Sequence, residues 1–72
     1  MNKIKISCIG FIEEGELAGG FVKIVDDSKQ SGGYLIFTSS ENKFIKAFDD
    51  WVENEHELNE FVKLSKWKIK WL

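Results

Sequence analysis

The hydrophobic period of this chain changes twice, and that constrains its fold more than any single residue does. Up to Phe37 the apolar residues alternate with polar ones or come in short runs. From Phe44 to Val62 they recur at helical spacing, and from Trp67 to Trp71 they alternate again. A period of two belongs to strands and one of 3.6 to helices, so strands must flank a helical stretch. The chain has 72 residues, enough for one domain, and the flanking strands are expected to share its sheet.

In the first strand Ile4, Ile6 and Cys8 lie on one side and Lys3, Lys5 and Ser7 on the other. Phe11 and Ile12 extend it past Gly10 through a bulge. Residues 13–16 form a polar turn, and Gly19-Gly20 closes the loop. Residues 21–25 are a second strand, rich in β-branched side chains. Residues 26–33 are turn chemistry throughout. Residues 34–38 lack alternation, as expected of a central strand at least partly covered on both faces. Three strands with short links join most economically as an antiparallel meander.

Ser39 and Ser40 then offer helix N-caps. Phe44, Ile45, Phe48, Trp51 and Val52 follow the spacing of an amphipathic helix, and Leu58, Phe61, Val62 and Leu64 continue it. One unbroken helix would place Glu55 on the buried seam. A break near Glu53-Asn54 is therefore expected, with Asn54 and Glu57 as a capping pair opening a second short helix. A single bent helix is the alternative. The closing stretch puts Trp67, Ile69 and Trp71 inward and Lys66, Lys68 and Lys70 outward. A strand in that position must be held by pairing or its end would fray.

The expected fold is one α+β domain over residues 1–72, in the order β-β-β-α-(α)-β. A four-stranded, largely antiparallel sheet carries helical residues 41–64 on one face. The inward set from the first three strands is Ile4, Ile6, Cys8, Val22, Ile24, Leu35 and Phe37. The helical stretch adds Phe44, Phe48, Trp51, Leu58, Phe61 and Val62, and the last strand its three apolar residues.

Composition narrows the class. Six Phe and three Trp supply the large buried areas that a small core needs. Cys8 is the only cysteine, so no disulfide helps, and a lone thiol among isoleucines reads as core filler in a reducing cytoplasm. No run approaches the ~18 apolar residues of a membrane span. The opening Met-Asn-Lys-Ile-Lys lacks the apolar stretch of a signal peptide. A cytoplasmic protein is expected.

Catalysis has little to work with. Cys8 and His56 are the only conventional partners for a thiol dyad, and they fall on a strand interior and in an acidic helical stretch. Nothing matches the ligand spacing of zinc, and the pairs Asp26-Asp27 and Asp49-Asp50 are not a calcium loop. The glycines of the turn before Tyr34 follow neither phosphate-loop nor dinucleotide pattern. A non-enzyme without metal or cofactor is expected.

Charge is distributed unevenly along the chain. Residues 41–60 hold seven acids against two lysines, whereas residues 61–72 hold four lysines and no acid. On a helix Asp49, Glu53, Glu57 and Glu60 would share a face whose like charges repel. Such a face can steer a basic partner, with Asp50 beside it and Trp51 or Tyr34 as an aromatic anchor. The plain alternative is a solvated face that keeps a ring-rich protein soluble. If the first and last strands are neighbours, Lys3, Lys5, Lys68 and Lys70 form a positive patch suited to single-stranded nucleic acid. Edge lysines that block strand-to-strand aggregation are the plain reading of those. All ten basic residues are Lys, which removes arginine's bidentate readout of guanine. The chain is expected to be a monomer or a weak dimer paired through an edge strand.

From Gly33 on, the chain contains Gly-Gly-Tyr-Leu-Ile, then Phe48-Asp49-Asp50-Trp51-Val52-Glu53, an acidic helix with Leu58 and Phe61, and the closing Trp67-Lys68-Ile69-Lys70-Trp71-Leu72. In style and pattern this stretch, residues 33–72, resembles the small immunity proteins of bacterial polymorphic-toxin systems. The resemblance implies a cytoplasmic inhibitor that covers a basic toxin domain, often a nuclease, with acidic and aromatic side chains.

Overall fold

The computed structural model describes residues 4–44 and 47–72, so Lys3 and Ile45 of the expected patterns lie outside it. The elements are β1 (Ile9–Glu14), β2 (Phe21–Asp27), β3 (Gly33–Ser39), β4 (Phe48–Val52), α1 (Glu55–Leu64) and β5 (Lys68–Trp71). All the strands join one antiparallel sheet in the order β4-β3-β2-β1-β5. The α+β class holds, and so does the meander. Among the described residues there are five strands in place of four, and one helix in place of two helical pieces.

The long hairpin of β2 and β3 runs in register from Phe21↔Ser39 to Asp27↔Gly33. Its turn is closed by the Asp27 carbonyl, which accepts from the backbone N–H groups of Gln30 and Ser31 at 3.1 and 2.9 Å. Asp26 Oδ1 accepts from the Ser28 N–H at 3.0 Å, and that bond holds the Asp26 carboxyl below its ordinary pKa.

Residues directly opposite each other on paired strands share a face. On one face lie Ile12, Val22, Ile24, Ile36, Val52 and Ile69, and α1 packs there through Leu58 and Val62. Trp67 completes this core, with Ile4, Tyr34, Phe61 and Trp71 partly buried against it. Ile12, Val22, Ile24 and Ile36 are wholly buried. Each such side chain stabilises the fold by about 1.5–3 kcal/mol relative to exposure. The molecule measures 30 × 28 × 18 Å, the thickness of one sheet and one helix.

Both helix ends follow local chemistry. Asn54 is the N-cap and its side chain accepts from the Glu57 N–H at 2.9 Å. Glu57 Oε1 accepts in turn from the Glu53 N–H at 2.7 Å. The expected capping pair is thus formed, and it begins the helix at Glu55. At the other end the N–H of Lys66 bonds the Lys63 carbonyl and that of Trp67 the Val62 carbonyl. Lys66 stands at φ 57°, the left-handed position where glycine is usual, and turns the chain into β5. The Trp67 indole N–H donates to the Glu16 carbonyl at 2.6 Å, tying the β1–β2 loop to the helix end.

Three expectations are corrected. First, β1 starts at Ile9, because Ser7 at φ 62° breaks the extended backbone before it. Ile4 still packs on the core, but Ile6 is exposed and Cys8 half-buried. The inward positions are Gly10 and Ile12, and a Cβ on Gly10 would lie 2.4 Å from Ile69 Cγ2 and 2.9 Å from a Trp71 ring carbon. The irregularity in β1 falls between Ile12 and Glu14, opposite β5, not at Gly10. Second, Leu35 and Phe37 face away from the helix, half-buried, on the uncovered side of the sheet. Third, residues 48–52 are a strand, so Phe48 and Trp51 are exposed, Phe44 is half-buried outside the core cluster, and Leu64 faces solvent.

Candidate binding edge

β4 is the outermost strand on one side of the sheet, paired to β3 from Tyr34↔Val52 to Thr38↔Phe48. Four of its five residues, Phe48, Asp49, Asp50 and Trp51, are exposed. Strand alternation sends Phe48 and Asp50 to the helix side and Asp49 and Trp51 to the uncovered side. The expected acidic helix face is therefore not assembled. Asp49 and Asp50 stand on β4 and diverge, Glu53 lies in the turn, and Glu57 and Glu60 are on α1. The Glu57 carboxylate is already used in the cap. What the fold builds instead is an acidic, aromatic edge running into an acidic helix start. From Phe48 to Glu60 there are six acids and no lysine.

The two exposed rings flank this edge. Phe48 is 76% exposed and Trp51 48%. Trp51 is held in place, since its indole N–H donates to Ser31 Oγ at 3.0 Å. Its ring lies over Gly33, where a Cβ would come within 2.7 Å of Nε1. Tyr34 sits on the other face, opposite Val52 and packed against the core, so it is separated from Trp51 by the sheet itself. Beside Phe48 a groove of about 400 Å³ is lined by residues 17–20, residues 38–40 and Phe48. Leu17 in its lining is also exposed, and stands at φ 63°.

The uncovered sheet face is the second candidate. Phe11 and Phe21 meet edge to face at 5.5 Å, and Lys23, Val25, Leu35 and Phe37 continue the surface, all half-buried. Phe44 and Ala47 come over it, lining a groove of about 370 Å³ with Lys23, Val25, Phe37 and Asp49. The four expected patch lysines are not brought together. Lys3 lies outside the described residues, and Lys5 is exposed ahead of β1. Lys68 is 3.6 Å from Glu14, while Lys70 lies opposite Phe11 on the uncovered face.

Cys8 precedes β1 and His56 is exposed on α1. Among the described residues no group of three or more His, Cys, Asp or Glu could hold a metal ion, and no helix is long and apolar enough to cross a membrane. Phe48 and Leu17 were missed as surface residues by sequence reasoning. No local signal distinguished Phe48, because on a helix Asp49 and Asp50 would fall on the solvent side of a seam through Phe48 and Trp51. The chain matches no family model, no curated protein and no solved structure.

Proposed function

We propose that the protein is a non-catalytic binding module that takes a basic protein partner on the β4 edge and the acidic turn after it. The observation that carries this is the run Phe48-Asp49-Asp50-Trp51, exposed on an edge strand and followed by acids without a lysine as far as Glu60. Proteins commonly guard exposed edges with lysine or proline. Aromatic side chains left in the open beside carboxylates have the composition of a contact site, where rings anchor and charges steer. An inhibitor of a basic toxin domain, such as a nuclease, is the form of this reading that the family resemblance favours. The test is a tagged pull-down from the source cell at low and then moderate salt, followed by kinetics with the captured partner. The variant Asp49→Lys, Asp50→Lys, Glu53→Lys should associate more slowly and with a flatter salt dependence. Unchanged kinetics in that variant would sink the reading.

A second reading has one observation in its favour: Lys70 and Lys23 share the uncovered face with Phe11 and Phe21. That face suits single-stranded nucleic acid. Salt-dependent oligonucleotide binding that disappears in Lys23→Gln, Lys70→Gln would establish it in place of the first.

A further inference from the structure

We propose that β4 recognises its partner by strand addition, with an extended, basic segment of the partner pairing along the outer backbone of β4. This rests on the binding reading above and specifies how that edge is used. In antiparallel pairing with β3, only half of the N–H and C=O groups of β4 point inward. The rest point outward, and no described strand pairs with them. Such a row is a template for another extended chain.

Side chains define the segment. Strand alternation places one carboxylate on each face of β4, Asp49 on the uncovered side and Asp50 on the helix side. An incoming strand therefore meets an acid whichever face a cation occupies. Trp51, half exposed although its ring leans over Gly33 toward Ser31, adds an aromatic surface on the uncovered side. The more exposed Phe48 adds one on the helix side, and an arginine or an apolar side chain could pack on either. The segment that fits mixes lysine or arginine with apolar residues.

A second copy of the chain fits less well. Two β4 strands paired antiparallel would set Asp49 or Asp50 against its own counterpart, and paired parallel in register would do so for both. The opposite edge, β5, carries Lys68 and Lys70 on one face only, so it would leave one of the two carboxylates of β4 facing Ile69 or Trp71, side chains that pack into its own core. The occupant is thus a foreign basic segment.

The test uses the whole protein and two synthetic probes. One is a short peptide of alternating lysine and valine. The other is the same peptide N-methylated at its two central residues, which removes an N–H from each edge and keeps every charge. The plain peptide should bind, protect β4 backbone amides from hydrogen exchange, and lose at least about tenfold in affinity on N-methylation. It should also lose binding to Asp49→Lys, Asp50→Lys, whose thermal unfolding shows that it is folded. Equal affinity of the two peptides would overturn strand addition while leaving an acidic docking surface in place. No binding by the plain peptide, or protection at β5, would also overturn it. Sedimentation of the protein alone decides the occupant: concentration-dependent association that protects β4 would make the partner a second copy. The binding reading itself fails on separate grounds, if charge reversal leaves the captured partner's kinetics unchanged.

Discussion

The two edges of the sheet are built by opposite means. β5 carries Lys68 and Lys70 outward, yet the strand is part of the core. Ile69 is buried, and the absent Cβ of Gly10 leaves the space that Ile69 and Trp71 fill. Trp67, just before it, is buried with its ring edge against Phe61 at 5.6 Å. β4 contributes a single buried residue, Val52, and is otherwise held by backbone pairing to β3 and the bond from Trp51 to Ser31. One edge is needed for stability, and the other is held in position while most of its side chains stay exposed. Substitutions at β5 should therefore act on folding, and those at β4 should leave folding nearly unchanged and act on the proposed contact.

The largest effects should fall at β5. Trp67→Ala should cost about 3–5 kcal/mol and Ile69→Ala about 2–5 kcal/mol, read as lowered denaturant midpoints. A loss below about 1 kcal/mol for Ile69→Ala would remove the distinction between the edges. Gly10→Ala should cost about 1–3 kcal/mol, because Ile69 and Trp71 must move to admit the methyl group.

The junctions from helix to edge come next. Asn54→Ala removes the cap between β4 and α1 and should cost about 1 kcal/mol. Lys66→Gly, between α1 and β5, should add roughly 1 kcal/mol by relieving the left-handed backbone. A destabilised Lys66→Gly would show that the lysine side chain itself holds the turn.

At β4 the folding effects should be small. Phe48→Ala and Asp50→Lys should stay within about 0.5 kcal/mol of the parent in chemical denaturation. A larger loss would mean that this edge, too, is structural. Away from both edges, the Asp26 carboxyl should titrate below its ordinary value of 3.8 when followed by NMR. Its pKa is lowered by the Ser28 N–H in the folded protein, so its contribution is present above the unfolded pKa. That contribution is lost as pH falls through the folded pKa. Asp26→Ala should abolish this dependence.

Several elements were legible because their signals are local. The Asn54-Glu57 cap needs only residues close in sequence, and it starts the helix where the capping pattern places it. Trp67, Ile69 and Trp71 alternate without interruption and do face the core, partly so for Trp71. The turns between β1 and β2 and between β2 and β3 follow their glycine and aspartate content. The candidate site was half legible. Asp49, Asp50 and Trp51 are all exposed, but on a strand that sends Asp50 to the face opposite Asp49 and Trp51, and Glu57 is turned to capping.

Residues 48–52 misled for a physical reason. Phe44, Phe48, Trp51 and Val52 satisfy a helical period, yet residues 48–52 also serve as a short edge strand. Pairing with residues 34–38 decides between them, a contact formed only once the β2–β3 hairpin presents β3. The same holds for β1, where alternation from Ile4 to Cys8 looked like the strand. Backbone reversal at Ser7 and the close approach of β5 to Gly10 move the paired segment downstream.

By itself the sequence determined an α+β chain, its hairpin turns, its helix cap and an inward-facing last strand, because each depends on neighbours a few residues away. Only the tertiary structure decided that Phe48-Asp49-Asp50-Trp51 is an exposed edge, because a strand exists only through a partner strand that is distant in sequence and supplies its hydrogen bonds.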